Sequence, residues 1–161
     1  MSEKELKEKN IVTNRKAFRD YEIFDKREAG IELKGAEVKS LRAGKVNLSD
    51  SYAAIENGEV ILFNLHISPY KFTTHESLDP IRPRRLLLHK REIKRLFGAT
   101  AEKGLTLIPL RIYFKGPHVK IELATCRGRK RYDKREKIAK READRAIERA
   151  HRRRIKRQNN E

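Results

Sequence analysis

The chain contains 161 residues, and its 40 Lys and Arg against 23 Asp and Glu give a formal net charge of +17 at neutral pH. A protein this basic is expected to bind polyanions, and RNA is the commonest polyanion in a cell. No apolar run approaches the roughly 20 residues of a membrane-spanning helix, and the charged N-terminus lacks the apolar centre of a signal peptide. The composition therefore argues against a membrane partner and predicts a cytoplasmic protein.

The sequence shows no pattern typical of a catalytic or metal-binding site. The single cysteine, Cys126, cannot form an intramolecular disulfide, and we expect it to be a small, partly buried residue rather than a nucleophile. The five histidines lack the paired spacing of acid–base or zinc chemistry, and no Walker loop is present. An RNA-processing enzyme is therefore the less favoured alternative, and we expect no catalytic residue, cofactor or metal.

The first half of the chain predicts short strands, one helix and a hairpin. The charged opening is expected to be a frayed, solvated lead-in, and residues 21–24 and 29–33 are strand-like. Val38 and Leu41, followed by Gly44, predict a short helix over residues 35–44. Asn57–Gly58 between apolar stretches indicates a tight hairpin. Leu65 and Ile67 are expected to extend its second strand.

The second half continues the same pattern after a loop over residues 69–84. Residues 89–98 have the apolar spacing of a helix, which we expect to end at Gly98 or Gly104. Residues 105–114 and 119–123 are predicted to pair across a turn at Gly116–Pro117, and Pro109 indicates an edge strand or a bulge. The chain is thus predicted to be mainly β with flanking α-helices, as an antiparallel barrel of the oligonucleotide-binding (OB) type.

Residues 127–161 differ sharply from the rest of the chain. They contain 16 Lys and Arg and six Asp and Glu, which concentrates a charge of +10 in this segment. Few large apolar residues are present, so the segment is expected to be disordered when free. It is rich in helix-forming residues, so we expect it to become helical when a partner neutralises its charge; a permanently folded, solvated helix is the alternative. The predicted domains are therefore 1–126, the barrel, and 127–161, a basic tail.

Several ordered segments resemble motifs of the SsrA-binding protein family, and two of them, EVKSLR and DKR, are quite specific. The matching segments are Asn14–Ala17, Glu28–Ile31, Gly35–Arg42, Asn47–Tyr52, His66–Tyr70, Arg85–His89, Gly104–Leu110 and Tyr132–Arg135. Two regions depart from the family pattern: residues 124–131 are unusually rich in arginine, and the loop over 70–79 matches nothing.

The resemblance implies an OB-type barrel, a tail unstructured in solution, and binding to the tRNA-like domain of transfer-messenger RNA. It further implies delivery of that RNA to stalled 70S ribosomes for trans-translation, where the tail meets 16S rRNA. Elongation factor Tu would be an indirect partner through the aminoacylated RNA. The alternative is a ribosomal or other OB-fold RNA-binding protein unrelated to trans-translation, which charge and fold would suit equally well.

The family's RNA-binding positions map onto Asn14, Glu28, Leu87 and Lys120. The alternative role of Asn14 is to cap a helix or a turn, and the alternative role of Glu28 is to form a surface ion pair. Leu87 is otherwise a core residue, although strand alternation allows one of three consecutive leucines to face outward. Lys120 alternates with apolar neighbours and is expected to point out of the barrel towards phosphate.

The tail carries the residues that the resemblance assigns to the ribosome. Contacts in the decoding centre and the mRNA channel are implied for Gly128, Tyr132, Asp133, Lys134, Arg135 and Ile155. Tyr132 is expected to stack on an rRNA base, and Ile147 is expected to anchor the helix together with Ile155.

Tyr21, Tyr52, Tyr70 and Tyr113 are expected to be mostly core or rim residues. The basic loop of Arg82, Arg84 and Arg85 would contact RNA or be solvated.

Overall fold

The computed structural model describes residues 6–72 and 78–158, and the side chains of residues 131–134 and 156–158 lie outside that description. The chain forms two compact units, Met1–Gly128 and Arg129–Glu161. The strands are β1 (Glu8–Thr13), β2 (Tyr21–Ile31), β3 (Val46–Asn47), β4 (Tyr52–Glu56), β5 (Glu59–Phe63), β6 (His66–Ile67), β7 (Arg84–Leu87), β8 (Thr106–Lys115) and β9 (His118–Gly128). The helices are α1 (Arg15–Asp20), α2 (Gly35–Arg42), α3 (Lys90–Ala101) and α4 (Arg131–Gln158).

The first unit is built around a closed antiparallel barrel. Its sheet has the strand order β1-β8-β4-β5-β7-β2-β9, and an additional pairing between β8 and β9 closes the ring. β1 lies along the C-terminal part of β8, and β4 pairs at Leu107 near its start. The predicted antiparallel barrel with flanking helices is confirmed. Closure leaves few unpaired strand edges, so few backbone N–H and C=O groups are open to pairing with another chain.

The predicted hairpin is confirmed, but its second strand is shorter than expected. Asn57 and Gly58 have φ values of 50° and 75°, as a two-residue primed turn requires. Asn64 also has a positive φ, 59°, which ends β5 after Phe63. Ile67 therefore does not extend the hairpin, and it pairs instead with Val46 in a separate two-stranded sheet.

The N-terminal lead-in is the clearest error in the sequence prediction. Residues from Glu8 onward form β1, which pairs with β8, and α1 follows directly. The polar sequence of β1 hid this strand because most of its side chains are exposed. Ile11 and Val12 nevertheless pack against the barrel core, so a few apolar contacts and the backbone pairing with β8 hold the strand.

The remaining element boundaries follow local backbone chemistry. α3 continues through Gly98 to Ala101, and Gly104, with a φ of 63°, lies in the turn beyond it. The bulge predicted at Pro109 is confirmed, because the β8–β9 register shifts between Pro109 and Arg111. The edge-strand alternative is wrong, since β8 pairs with β1, β4 and β9.

Two apolar clusters stabilise the first unit. The larger fills the barrel and includes Val60, Leu62, Leu107 and Ile121, none of which has exposed surface. The smaller lies between α1 and the outer side of β8 and β9, and contains Ala17, Ile108, Leu110, Ala124 and Cys126. The bulge in β8 allows neighbouring stretches of one strand to supply both clusters.

The second unit contains a single helix of 28 residues, α4. Lys, Arg, Glu and Ala dominate it, and these residues favour a helix without needing a core. Ile138, Ile147 and Ile155 are exposed. The helical conformation predicted for the tail is thus confirmed, whereas its dependence on a partner stays a prediction. In the described part of the chain, no helix is long and apolar enough to cross a membrane.

Candidate RNA-binding surface

Three of the four predicted RNA-binding residues lie on one outward face of the barrel. Strand register places Leu87 opposite Gly30, Gly30 opposite Lys120, and Lys120 opposite Tyr113, in one row across β7, β2, β9 and β8. Glu28 is two residues from Gly30 on β2, and so shares its face. The row unites residues that are far apart in sequence. We call the face around Glu28, Leu87 and Lys120 the outward face.

Leu87 is half exposed at 50%, whereas the neighbouring Leu86 is buried. This confirms the expectation that one of the three consecutive leucines faces outward. An exposed leucine on an otherwise polar face offers an apolar surface to an unstacked base or a ribose.

Gly30 is a residue of this face that the sequence analysis missed. A Cβ atom placed on Gly30 would lie 3.1 Å from the Cβ of Leu87, closer than packed side chains normally come. Gly30 therefore lets Leu87 lie low over the strand and keeps the surface between Leu87 and Lys120 flat. Its only signal in the sequence was a glycine within a strand, which indicates close approach of another group.

Glu28 is held by a network rather than by a single ion pair. Its carboxylate accepts a short hydrogen bond from the Tyr113 hydroxyl and lies 3.3 Å from Lys115 Nζ. The Tyr113 bond and then Lys115 hold the pKa of Glu28 below its usual value. Burial and the hydrogen bond to Glu28 raise the pKa of Tyr113. Glu28 is thus an ionised acceptor at neutral pH, able to receive a base amino group.

The outward face also contains paired charges that the sequence did not reveal. Arg111 donates to Glu122 at 2.8 Å and to Glu8 at 3.3 Å, and its guanidinium lies 4.1 Å from the centre of the Tyr113 ring. Tyr113 is 2% exposed, in agreement with its predicted rim or core role. Lys120, by contrast, forms no salt bridge with any residue in the described ranges, so its charge is available to a phosphate.

Asn14 does not join this face. It is 3% exposed and caps α1, where its side chain accepts from the Ala17 N–H at 3.1 Å. Its amide donates to the carbonyls of Pro109 at 3.0 Å and Leu48 at 3.3 Å. The structure therefore supports the alternative cap role. Both amide hydrogens of Asn14 are thus already used within the protein.

The predicted basic loop is largely structural. Arg84 is buried and donates from Nε to Glu37 at 2.6 Å, with further bonds to the carbonyls of Leu65 and Pro80. Arg82 donates to the same carboxylate. Burial opposes ionisation of Glu37, yet these bonds and the Lys34 N–H keep its pKa below the usual value. The expectation that Arg84 contacts RNA or solvent is wrong.

The remaining arginine and tyrosines lie on the surface or are paired. Arg85 is exposed and forms ion pairs with Glu32 and Glu59 at 2.9 and 3.0 Å. Tyr52 is 41% exposed and stacks on Phe63 with 5.4 Å between ring centres. Tyr52 is therefore a surface residue rather than a core residue, on a different pair of strands from the outward face.

Three of the tail residues predicted to contact the ribosome are described in full by the structure. Gly128 is exposed at the end of β9, where it pairs with Tyr21. Arg135 and Ile155 are exposed on α4. The side chains of Tyr132, Asp133 and Lys134 lie outside the described residues. Their proposed contacts therefore rest on their positions in the first turn of α4.

Comparisons with known proteins agree with the motifs. The sequence profile of the SmpB protein family matches residues 11–153. The SsrA-binding protein of Carboxydothermus hydrogenoformans is 62% identical over 143 residues, covering 89% of this chain and 96% of that protein. The SsrA-binding protein of Desulforudis audaxviator is 59% identical over 143 residues, covering 89% and 94%.

A solved structure described as "tmRNA-SmpB: a journey to the center of the bacterial ribosome" contains a similar chain. It is 50% identical, with a TM-score of 0.64, and the match covers 79% of this chain and 93% of that one. These matches confirm the resemblance drawn from the ordered motifs. The chain belongs to the SmpB protein family.

Proposed function

We propose that this protein binds the tRNA-like domain of transfer-messenger RNA and delivers it to stalled ribosomes for trans-translation. The observation that carries the proposal is the 62% identity to an SsrA-binding protein over nearly the whole chain. The row of Leu87, Gly30 and Lys120 supplies a surface on which such binding can take place. On this account the protein acts by binding RNA in the cytoplasm and is not an enzyme.

The outward face would combine three kinds of contact. Lys120 would hold a phosphate, since its charge is not used in an ion pair on the described surface. Leu87 would pack on a ribose or an unstacked base, and Glu28 would accept from a base amino group. A carboxylate beside RNA repels phosphate groups. Glu28 would therefore not add to the overall attraction for RNA, but would favour the orientation in which a base amino group faces it. This combination favours a structured RNA over an arbitrary polyanion.

The tail would act on the ribosome. The segment 127–161 has a charge of +10, and the empty mRNA channel of a stalled ribosome is lined with rRNA phosphates. Tyr132 would stack on a base in the decoding centre, and Lys134 and Arg135 would hold phosphates. Asp133 would orient Arg135 or cap the N-terminus of the helix, and Gly128 would also contact the ribosome. Ile147 and Ile155 would anchor an otherwise electrostatic helix. Elongation factor Tu would take part indirectly, through the aminoacylated RNA.

The RNA-binding part of the proposal is tested with Lys120→Ala. We expect weaker binding to the tRNA-like domain, a salt dependence reduced by about one unit of log–log slope, and an unchanged Tm. Lys103→Ala, an exposed lysine in the turn after α3, is the matched control and should bind normally. A sharp fall in Tm for Lys120→Ala would make Lys120 structural and remove it from the site.

The division of labour is tested by ending the chain at Gly128, where β9 ends. The shortened protein should fold and bind transfer-messenger RNA but fail to support peptide tagging on stalled ribosomes. Full tagging by the shortened protein would reject a role for the tail. Sequencing the RNA that copurifies with the full chain separates the proposal from the alternative of a ribosomal or other OB-fold protein, because only the former predicts enrichment of transfer-messenger RNA.

A further inference from the structure

A groove at one end of the barrel lies apart from the row of Leu87 and Lys120. Its volume is about 590 Å³, within the roughly 300–1,000 Å³ typical of small-ligand sites. The floor is apolar, formed by Leu41 and Ala43 at the end of α2 together with Ile11, Phe114 and Pro117. The rim carries the basic residues Lys7, Lys9 and Arg42.

The charge around this groove is one-sided. None of the three rim cations forms an ion pair with a residue in the described ranges, whereas Arg111 and Lys115 on the outward face are both paired. No carboxylate belongs to the lining. Glu8, which lies between Lys7 and Lys9, is drawn away by Arg111 at 3.3 Å. An anionic ligand would therefore meet unneutralised positive charge above an apolar floor.

A ribonucleotide would complement both features, because its phosphate is anionic and its flat base can pack on an apolar floor. We propose that the groove holds one unstacked nucleotide of the RNA bound by the outward face, an inference that rests on the proposed function. Lys7, Lys9 and Arg42 would surround its phosphate. Phe114, half-buried at the floor, would contact the base. The C-terminal end of α2 carries partial negative charge, so it favours an amino edge of the base over a phosphate.

The groove lies on the other side of the β1–β8 strand pair from the outward face, because successive side chains of a strand point to opposite faces. Tyr113 and Lys115 both contact Glu28 on that face, and Phe114 between them lines the groove. Lys9 is the partner of Phe114 on β1. An RNA strand that contacts Lys115 would reach the groove by passing over β1, which pairs with β8 at this end of the barrel. The unneutralised basic rim on the same barrel as the proposed RNA-binding face favours a nucleotide of that RNA, rather than a separate small molecule, as the occupant.

Two changes in the full-length protein test the inference with the transcribed tRNA-like domain as probe. The double variant Lys9→Ala/Arg42→Ala removes charge, and Ala43→Trp fills the groove from an exposed position. We expect the double variant to weaken binding on the order of tenfold and to reduce the log–log salt slope by about 2. Lys94→Ala/Lys103→Ala, with the same change in net charge at exposed sites, should reduce the slope by less than 1.

Chemical probing of the RNA identifies the nucleotide itself. One unpaired nucleotide should lose reactivity with the wild-type protein and with the control double variant, but not with Ala43→Trp. If both groove variants bind and protect like the wild type while Lys120→Ala weakens binding, the groove inference is overturned and the outward face stands. Loss of binding in the groove variants but not in Lys120→Ala would support the groove and reject Lys120 as a contact.

Discussion

Replacing Glu37 by alanine should destabilise the barrel more than any surface charge change. Glu37 is 4% exposed, and its carboxylate holds the buried Arg84 at 2.6 Å together with Arg82 and the Lys34 N–H. Removing the carboxylate leaves the Arg84 guanidinium buried with two hydrogen-bond partners among the described residues, the carbonyls of Leu65 and Pro80. The positive charge of Arg84 would then be buried without its counter-ion, which lowers the free energy of unfolding.

The expected magnitude follows from that burial. Breaking a buried ion pair by removing one partner costs about 3–5 kcal/mol, and the two remaining carbonyl bonds place Glu37→Ala near 3 kcal/mol. For a domain of this size that is a fall in Tm of about 10 °C. Glu32→Ala is the matched control, because Glu32 pairs with Arg85 at the exposed surface, and it should cost under about 1 kcal/mol.

Denaturant unfolding followed by circular dichroism measures both variants. The double variant Glu37→Met/Arg84→Met should recover part of the loss, since it removes both buried charges. If Glu37→Ala costs no more than Glu32→Ala, the buried pair contributes nothing and the reasoning fails.

The same pair gives a pH dependence with a defined sign. The pKa of Glu37 is lowered in the folded protein, so its contribution is fully present above the unfolded pKa of about 4.3 and is lost as the pH falls through the folded value. Glu37→Gln should therefore show a smaller loss of stability on acidification than the wild type. An identical acid profile for the two proteins would contradict this assignment.

Three further changes test other features of the structure. Asn14→Ala removes a helix cap and two further buried hydrogen bonds, and it should cost about 1–2 kcal/mol in denaturant unfolding. Gly58→Ala, at a φ of 75°, should cost about 1 kcal/mol, whereas Gly98→Ala within α3 should stabilise by a similar amount or less. Burial raises the pKa of Cys126 to about 12, so iodoacetamide at pH 8 should label it only in denaturant, and rapid native labelling would refute its burial.

Local chemistry was enough to predict most individual elements. The Asn57–Gly58 turn, the α2 helix and the bulge at Pro109 each depend on backbone preferences of neighbouring residues, so a single sequence reveals them. The charge of segment 127–161 and its helix-forming residues likewise indicated the tail helix. The ordered motifs were sufficient to predict the family, which the comparisons confirmed.

Elements without a local signal were missed or misplaced. β1 is polar and exposed, and it is held mainly by hydrogen bonds to β8, a strand nearly 100 residues away. Ile67 looked like part of the hairpin because an apolar pattern does not show that Asn64 turns the chain. Arg84 looked like a surface residue because its partner Glu37 lies on a different element.

The sequence by itself determined the class of this protein: a basic, mainly β chain with a helical tail and the motifs of one family. Only the tertiary structure decided which residues share a surface. Strand register joins Leu87, Gly30 and Lys120, and it separates them from Asn14, which is buried at the N-terminus of α1. The physical reason is that cross-strand neighbours are set by long-range hydrogen bonding and barrel closure, and a shift of one residue would turn each side chain to the opposite face.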